Sequence, residues 1–148
     1  MKKLYGIVFC LASFLVSLNL VSCDGDNPIG GYIVIRNFSD FQKIVATDAP
    51  QIVDYRCRDS FAVGHIRGAV NIEATPENTQ NQNSGFCQAI KKRFRKDRSV
   101  FLYGDDSKFP EGFYVPGIVS DLGWGKNGTY YFLPGYKGWV ENGGEIEK

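Results

Sequence analysis

An α/β sandwich built on a mostly parallel sheet is the fold class the sequence predicts. Short β-branched and aromatic runs recur at residues 32–35, 51–55, 68–72, 100–103 and 129–133, and stretches with helical spacing separate most of them. With 148 residues, 43% of them hydrophobic, the chain can bury the core of one domain. Its 17 Lys plus Arg stand against 16 Asp plus Glu, so no net field draws nucleic acid or an acidic substrate, and neither is expected as a partner.

The first residues are set apart from the fold. Lys2-Lys3 precedes an apolar run over residues 7–21, which is shorter than the roughly 20 residues a spanning helix needs. The run ends in Leu20-Val21-Ser22-Cys23, which resembles a bacterial lipoprotein box. That resemblance implies a signal peptide over residues 1–22, cleavage before Cys23, and lipid on its thiol. The mature protein would then sit in a bacterial cell envelope, periplasmic or surface-facing, held to the bilayer by the Cys23 acyl anchor. Cys10 would leave with the signal, so Cys57 and Cys87 remain as thiols in a disulfide-permissive compartment. Residues 23–31, polar and rich in Gly with one Pro, read as a flexible tether.

The domain proper is expected over residues 32–142, with a tail at 143–148. Tyr32-Ile33-Val34-Ile35 reads as the first strand, and Ser39-Asp40-Phe41-Gln42 as a capping box opening a helix through Val45. Residues 48–50 end that helix, and residues 51–55 form the second strand. A short helix over 59–63 stops at Gly64, and Gly68 supplies a backbone turn into a third strand. Residues 75–84 are an exposed loop. From Gly85, Phe86, Ile90 and Phe94 recur at four-residue spacing on one helical face. Residues 100–103 are a fourth, wholly apolar strand. Residues 111–122 have helical spacing with Pro116 implying a kink or late start, and Gly123 is the stop. Residues 129–133 are the fifth strand, and the segment from Pro134 to Trp139 reads as turns.

The stretch from Asp54-Tyr55-Arg56 to Gly64-His65-Ile66-Arg67-Gly68-Ala69-Val70-Asn71-Ile72 resembles the signature of rhodanese-like domains. The closing segment, residues 131–139, resembles that family's final strand followed by glycines and a Trp, and the likeness spans roughly residues 31–142. It implies a rhodanese-like three-layer sandwich, a five-stranded sheet in order 3-2-4-5-1 with helices on both faces. It also implies that Asp54, Arg56, Gly64, His65 and Gly68 are structural, holding the turn between the second and third strands. In active members the fourth strand leads into a cysteine whose thiolate opens an anion-binding loop. Here the sequence continues Tyr103-Gly104-Asp105-Asp106-Ser107-Lys108, and Gly104 stands at that cysteine's position. Glycine offers no nucleophile to carry sulfur, and the two aspartates would repel an anion. The expectation is therefore a binding or accessory module without sulfur transfer, with no catalytic residue and no cofactor, and with an unnamed protein as a further partner.

Alternatives stand beside this reading. Cys57, between Arg56 and Arg58, is either a packing residue, a disulfide partner of Cys87, or a substitute nucleophile for a divergent sulfurtransferase or thiol-redox protein. His65 is a structural pin or a proton shuttle. Asp105, Asp106 and Ser107 are solvated or meet a cation, and no metal is expected. Tyr130, Tyr131, Phe132, Tyr136 and Trp139 serve the core or a binding surface. Lys91, Lys92, Arg93, Arg95 and Lys96 are a solvated helix face or a headgroup patch.

Overall fold

The computed structural model describes residues 31–47, 49–105, 111–124 and 128–148. Strands β1 (Ile33–Ile35), β2 (Gln51–Asp54), β4 (Ala69–Asn71), β5 (Val100–Tyr103) and β6 (Thr129–Phe132) pair in the order β1-β6-β5-β2-β4, every pair parallel. Numbered among themselves, the five follow the expected order 3-2-4-5-1. Helices α1 (Phe38–Val45), α2 (Arg58–Val63), α3 (Gly85–Arg93) and α4 (Glu111–Val119) connect them, and α5 (Gly135–Glu141) follows β6.

Alternation along each strand divides the core in two. Val53, Val100 and Leu102 face a cluster with Phe86, Cys87 and Ile90 of α3 and Val115 and Val119 of α4. Ile52, Tyr103 and Phe132 point to the other face, against Phe41 of α1 and Trp139 of α5. There Phe41 stacks on Phe132 at 4.3 Å between centroids and meets Trp139 edge-on at 5.8 Å. Tyr131, Phe132 and Trp139 are buried, so the C-terminal aromatics chiefly fill the core.

Several local expectations shift. Helix α1 begins at Phe38 with Asn37 as its cap, not at Ser39, and Asp40 lies in its first turn. Helix α3 ends at Arg93, with Phe94 already extended. Pro116 sits inside α4, whose end opens into a wider turn, Ser120–Trp124, broken by Gly123 at φ 114°. The segment after Pro134 is a helix rather than turns, because burying Trp139 overrides the weak helix propensity of its glycines. The tail adds β7 (Ile146–Glu147), antiparallel to a short β3 (His65–Ile66), so residues 143–148 extend the domain. The signal peptide expected over residues 1–22, Cys23, most of the expected tether, Asp48 and residues 106–110 lie outside the described residues.

Candidate functional site

In an open parallel sheet the reactive loop lies beyond the carboxyl ends of the central strands. Here β2 and β5 are neighbours, with Asp54 in register beside Tyr103, so both chains leave the sheet together. Asp54 is fully buried and accepts four kinds of hydrogen bond. Arg56 donates from its backbone N and Nε at 3.0 Å and from Nη2 at 2.6 Å, and Tyr103 donates its hydroxyl proton at 2.6 Å. The Tyr103 oxygen in turn accepts from Ile66 N at 3.0 Å. Arg56 Nη2 also donates to Gly64 O at 2.7 Å, tying the end of α2 to the same carboxylate.

Burial would lower the pKa of Arg56, but the hydrogen bonds and charge of Asp54 outweigh it and hold the guanidinium above its ordinary value. Burial first, and then the Asp54 charge, pushes the Tyr103 phenol well above its own. Both charges of this pair are buried, and Nε and Nη2 of the guanidinium are bonded to the carboxylate. Arg56 also lies over the Tyr136 ring, 3.9 Å from its centroid, and 3.8 Å from the exposed carboxylate of Asp105. Its charge is turned inward, so of the two arginines that flank Cys57 in sequence, this one gives the thiol no free cation.

The other signature residues are placed around this unit. Gly68 adopts φ 75°, the left-handed turn a side chain would resist, and its N donates to Glu147 Oε2 at 3.0 Å. His65 stacks on Phe61 at 3.8 Å, with Nδ1 3.2 Å from Phe61 O and Nε2 3.8 Å from Glu147. It thus joins α2 to β7 and takes no part in the Asp54 cluster. Asn71 donates to the carbonyls of Asp54 and Arg56 at 3.0 and 2.9 Å.

Beyond β5, Gly104 is enclosed. A Cβ built on it would lie 2.6 Å from the Tyr55 hydroxyl and 2.7 Å from two ring carbons. That ring is held, since its hydroxyl is hydrogen-bonded to Tyr131; burial and then this neighbour raise the Tyr55 pKa far above 10.0. The chain at Gly104 is gripped from the opposite side as well. Tyr136 N donates to Gly104 O at 2.8 Å and Lys137 N to Asp105 O at 2.9 Å. These are first-turn amides of α5, the groups a helix leaves for an outside acceptor, and loop carbonyls occupy them. Gly135 takes φ 63°, and a Cβ there would strike Asp105 O at 2.7 Å.

Cys57 is exposed at the start of α2, its Sγ 3.2 Å from Ser60 Oγ, while Cys87 is buried between the sheet and α3; both are free. Among the described residues no three His, Cys, Asp or Glu side chains are grouped to hold a metal. Asp106, Ser107 and Lys108 fall outside those residues. Nothing in the sequence marks Tyr103 or Tyr55 as a site residue, and Tyr136 stands out there only as one of the C-terminal aromatics. The register of β2 beside β5 is the signal that joins Tyr103 to Asp54.

The sequence profile of the rhodanese-like domain matches residues 37–142. No curated protein matches the sequence. Among solved structures, the BH2092 protein of Bacillus halodurans superposes with a TM-score of 0.61 at 18% identity, over 79% of this chain and 77% of that one. The rhodanese-like domain of the Anabaena Alr3790 protein gives 0.58 at 17% identity, over 80% of each chain. The human single-domain sulfurtransferase TSTD1 gives 0.54 at 20% identity, over 76% of this chain and 97% of that one. At these identities the superpositions speak to fold, and the profile, which spans most of the chain, speaks to descent: this chain belongs to the rhodanese-like domain family.

Proposed function

We propose that the chain is a lipid-anchored, extracytoplasmic rhodanese-like domain that does not transfer sulfur and acts as a binding or accessory module. In this reading Gly104 stands where active members carry the nucleophilic cysteine, and Cys23 carries the anchor in the bacterial envelope. The observation that carries it is the Tyr55 ring, which fills the space that any side chain at Gly104 would enter. The site is remodelled around glycine, beyond the loss of one sulfur atom. The α5 amides engaged by loop carbonyls and the Asp105 carboxylate facing Arg56 point the same way, since both replace an incoming anion with the chain's own groups.

A second reading rests on the exposure of Cys57, which could carry a persulfide without the Gly104 loop. A Cys57–Cys87 redox couple is weaker, because Cys87 is sealed in the core. Incubating the purified protein with thiosulfate and cyanide, and separately with a persulfide donor followed by intact mass measurement, tests both. The expected result is no cyanide-dependent turnover and no stable added sulfur. Turnover that survives Cys57→Ser but falls with changes around Gly104 sinks the inactive reading. One added sulfur that disappears in Cys57→Ser favours the second.

A further inference from the structure

We infer that the face formed by the end of α3 and the segment leading into β5 lies against the membrane and binds anionic phospholipid headgroups. Residues 91–98 read Lys-Lys-Arg-Phe-Arg-Lys-Asp-Arg, the densest run of cations in the chain. A helix C-terminus accounts for cations only in its last turn. Helix α3 ends at Arg93, yet Arg95, Lys96 and Arg98 continue the run beyond it. Lys92, Arg93, Arg95, Lys96 and Arg98 are all exposed. Among the described residues Lys92, Arg93 and Lys96 form no ion pair, whereas Arg95 is held by Asp97. Asp121 is the other acid in the neighbouring turn.

The surface is built from beneath. Gln51 at the start of β2 donates to the carbonyls of Arg95, Arg98 and Ser99 at 3.0–3.2 Å and accepts from Arg95 N at 2.7 Å. Trp124 Nε1 donates to the carbonyls of Arg95 and Arg98 at 3.2 and 3.1 Å. Pinning these carbonyls inward fixes the backbone of the connector while its basic side chains remain exposed. Lys96 lies across Gly123, and its Nζ is 5.9 Å from the Trp124 ring centroid.

Placement relative to the anchor decides the partner. All main strands are parallel, so the chain enters at β1 on the same end of the sheet as the segment before β5. The turn that seats Lys96, Ser120–Trp124, also receives the entering chain, because Ser120 Oγ donates to Gly31 O. The inference rests on the lipid-anchor reading for its geometry: residues 24–31 can span at most roughly 26–29 Å from Cys23. An anchor so close to this end presents the cationic face to the bilayer, where Lys92, Arg93 and Lys96 meet headgroup phosphate.

The test uses the full acylated protein, reconstituted in vesicles of phosphatidylcholine alone or of an equal mixture with phosphatidylglycerol, and footprints its lysines with an amine-reactive reagent. Lys137, exposed at the opposite end of the sheet, is the internal reference. In the anionic vesicles Lys92 and Lys96 are expected to react about five-fold more slowly than in neutral ones. Lys137 should not change, and high salt or K92E/R93E should remove the protection of Lys96. Equal reactivity of Lys92 and Lys96 in both vesicles overturns the inference, as does equal protection of Lys137. Protection only in native membranes, absent from protein-free anionic vesicles, also overturns it and indicates a membrane protein as partner. The mass of the N-terminal peptide reads the anchor separately. If it lacks lipid, the anchor reading fails, and cosedimentation of the same protein with anionic vesicles, followed by the same footprint, still decides the face.

Discussion

At the scale of single residues, the buried Asp54–Arg56 pair and the Tyr55–Gly104 contact set the expectations. Asp54→Ala leaves a guanidinium buried without its carboxylate, and should cost about 3–5 kcal/mol in urea unfolding, with Arg56→Lys also destabilising because one ammonium cannot serve both Asp54 and Gly64. On the proposed reading, Gly104→Cys should not confer sulfur transfer, and it should lower stability by about 1–3 kcal/mol, because the new Cβ meets the Tyr55 ring. Adding Tyr55→Ala should recover part of that loss; if Gly104→Cys alone is as stable as the parent, the ring yields and the packing account is wrong. The close packing of Asp54 and Arg56 was legible in sequence because a short motif holds them two positions apart. Tyr55 was not, since a tyrosine closing an apolar strand carries no sign of which loop its ring will fill. Gln51 was equally silent: its amide meets carbonyls more than forty positions away in the chain.

At the scale of elements, periodicity found the five main strands and most helices, while the C-terminal pieces escaped it. Gly135, Gly138 and Pro134 gave α5 the look of a turn, and only the burial of Trp139 against Phe41 and Phe38 makes it a helix. Strand β7 has two residues and hence no period to read. Its position comes from tertiary bonds: Trp139 Nε1 donates to Glu145 O at 2.9 Å, and Arg67 pairs with Glu145 at 3.0 Å. The ion pair is exposed and contributes little, whereas the indole bond and the pairing with β3 close over buried groups. Deleting residues 145–148 should therefore lower the melting temperature and speed hydrogen exchange at Arg67, whose N donates to Glu145 O, while charge-neutral Glu145→Gln should change both little. A truncated protein with parent-like stability would show that β7 merely rests on the domain.

For the whole molecule, two buried phenols give an alkaline limit. Burial raises the pKa of both Tyr55 and Tyr103. An unfolded chain ionises them near their ordinary value of 10.0 and the folded chain does not, so their contribution is complete below that pH. Stability should then fall as pH rises above it, by up to about 1.4 kcal/mol per pH unit for each phenol. Denaturant midpoints measured on both sides of pH 10 should show this slope, and Tyr55→Phe should flatten it. The sheet order has a separate consequence, for the timing of folding. Ile33 pairs with Tyr130, so β1 and its neighbour β6 come from opposite ends of the domain. As the chain is synthesised, β1 has no partner in the sheet until β6 has been made, so their pairing requires a loop closure across most of the domain, a contact of high sequence separation that slows folding.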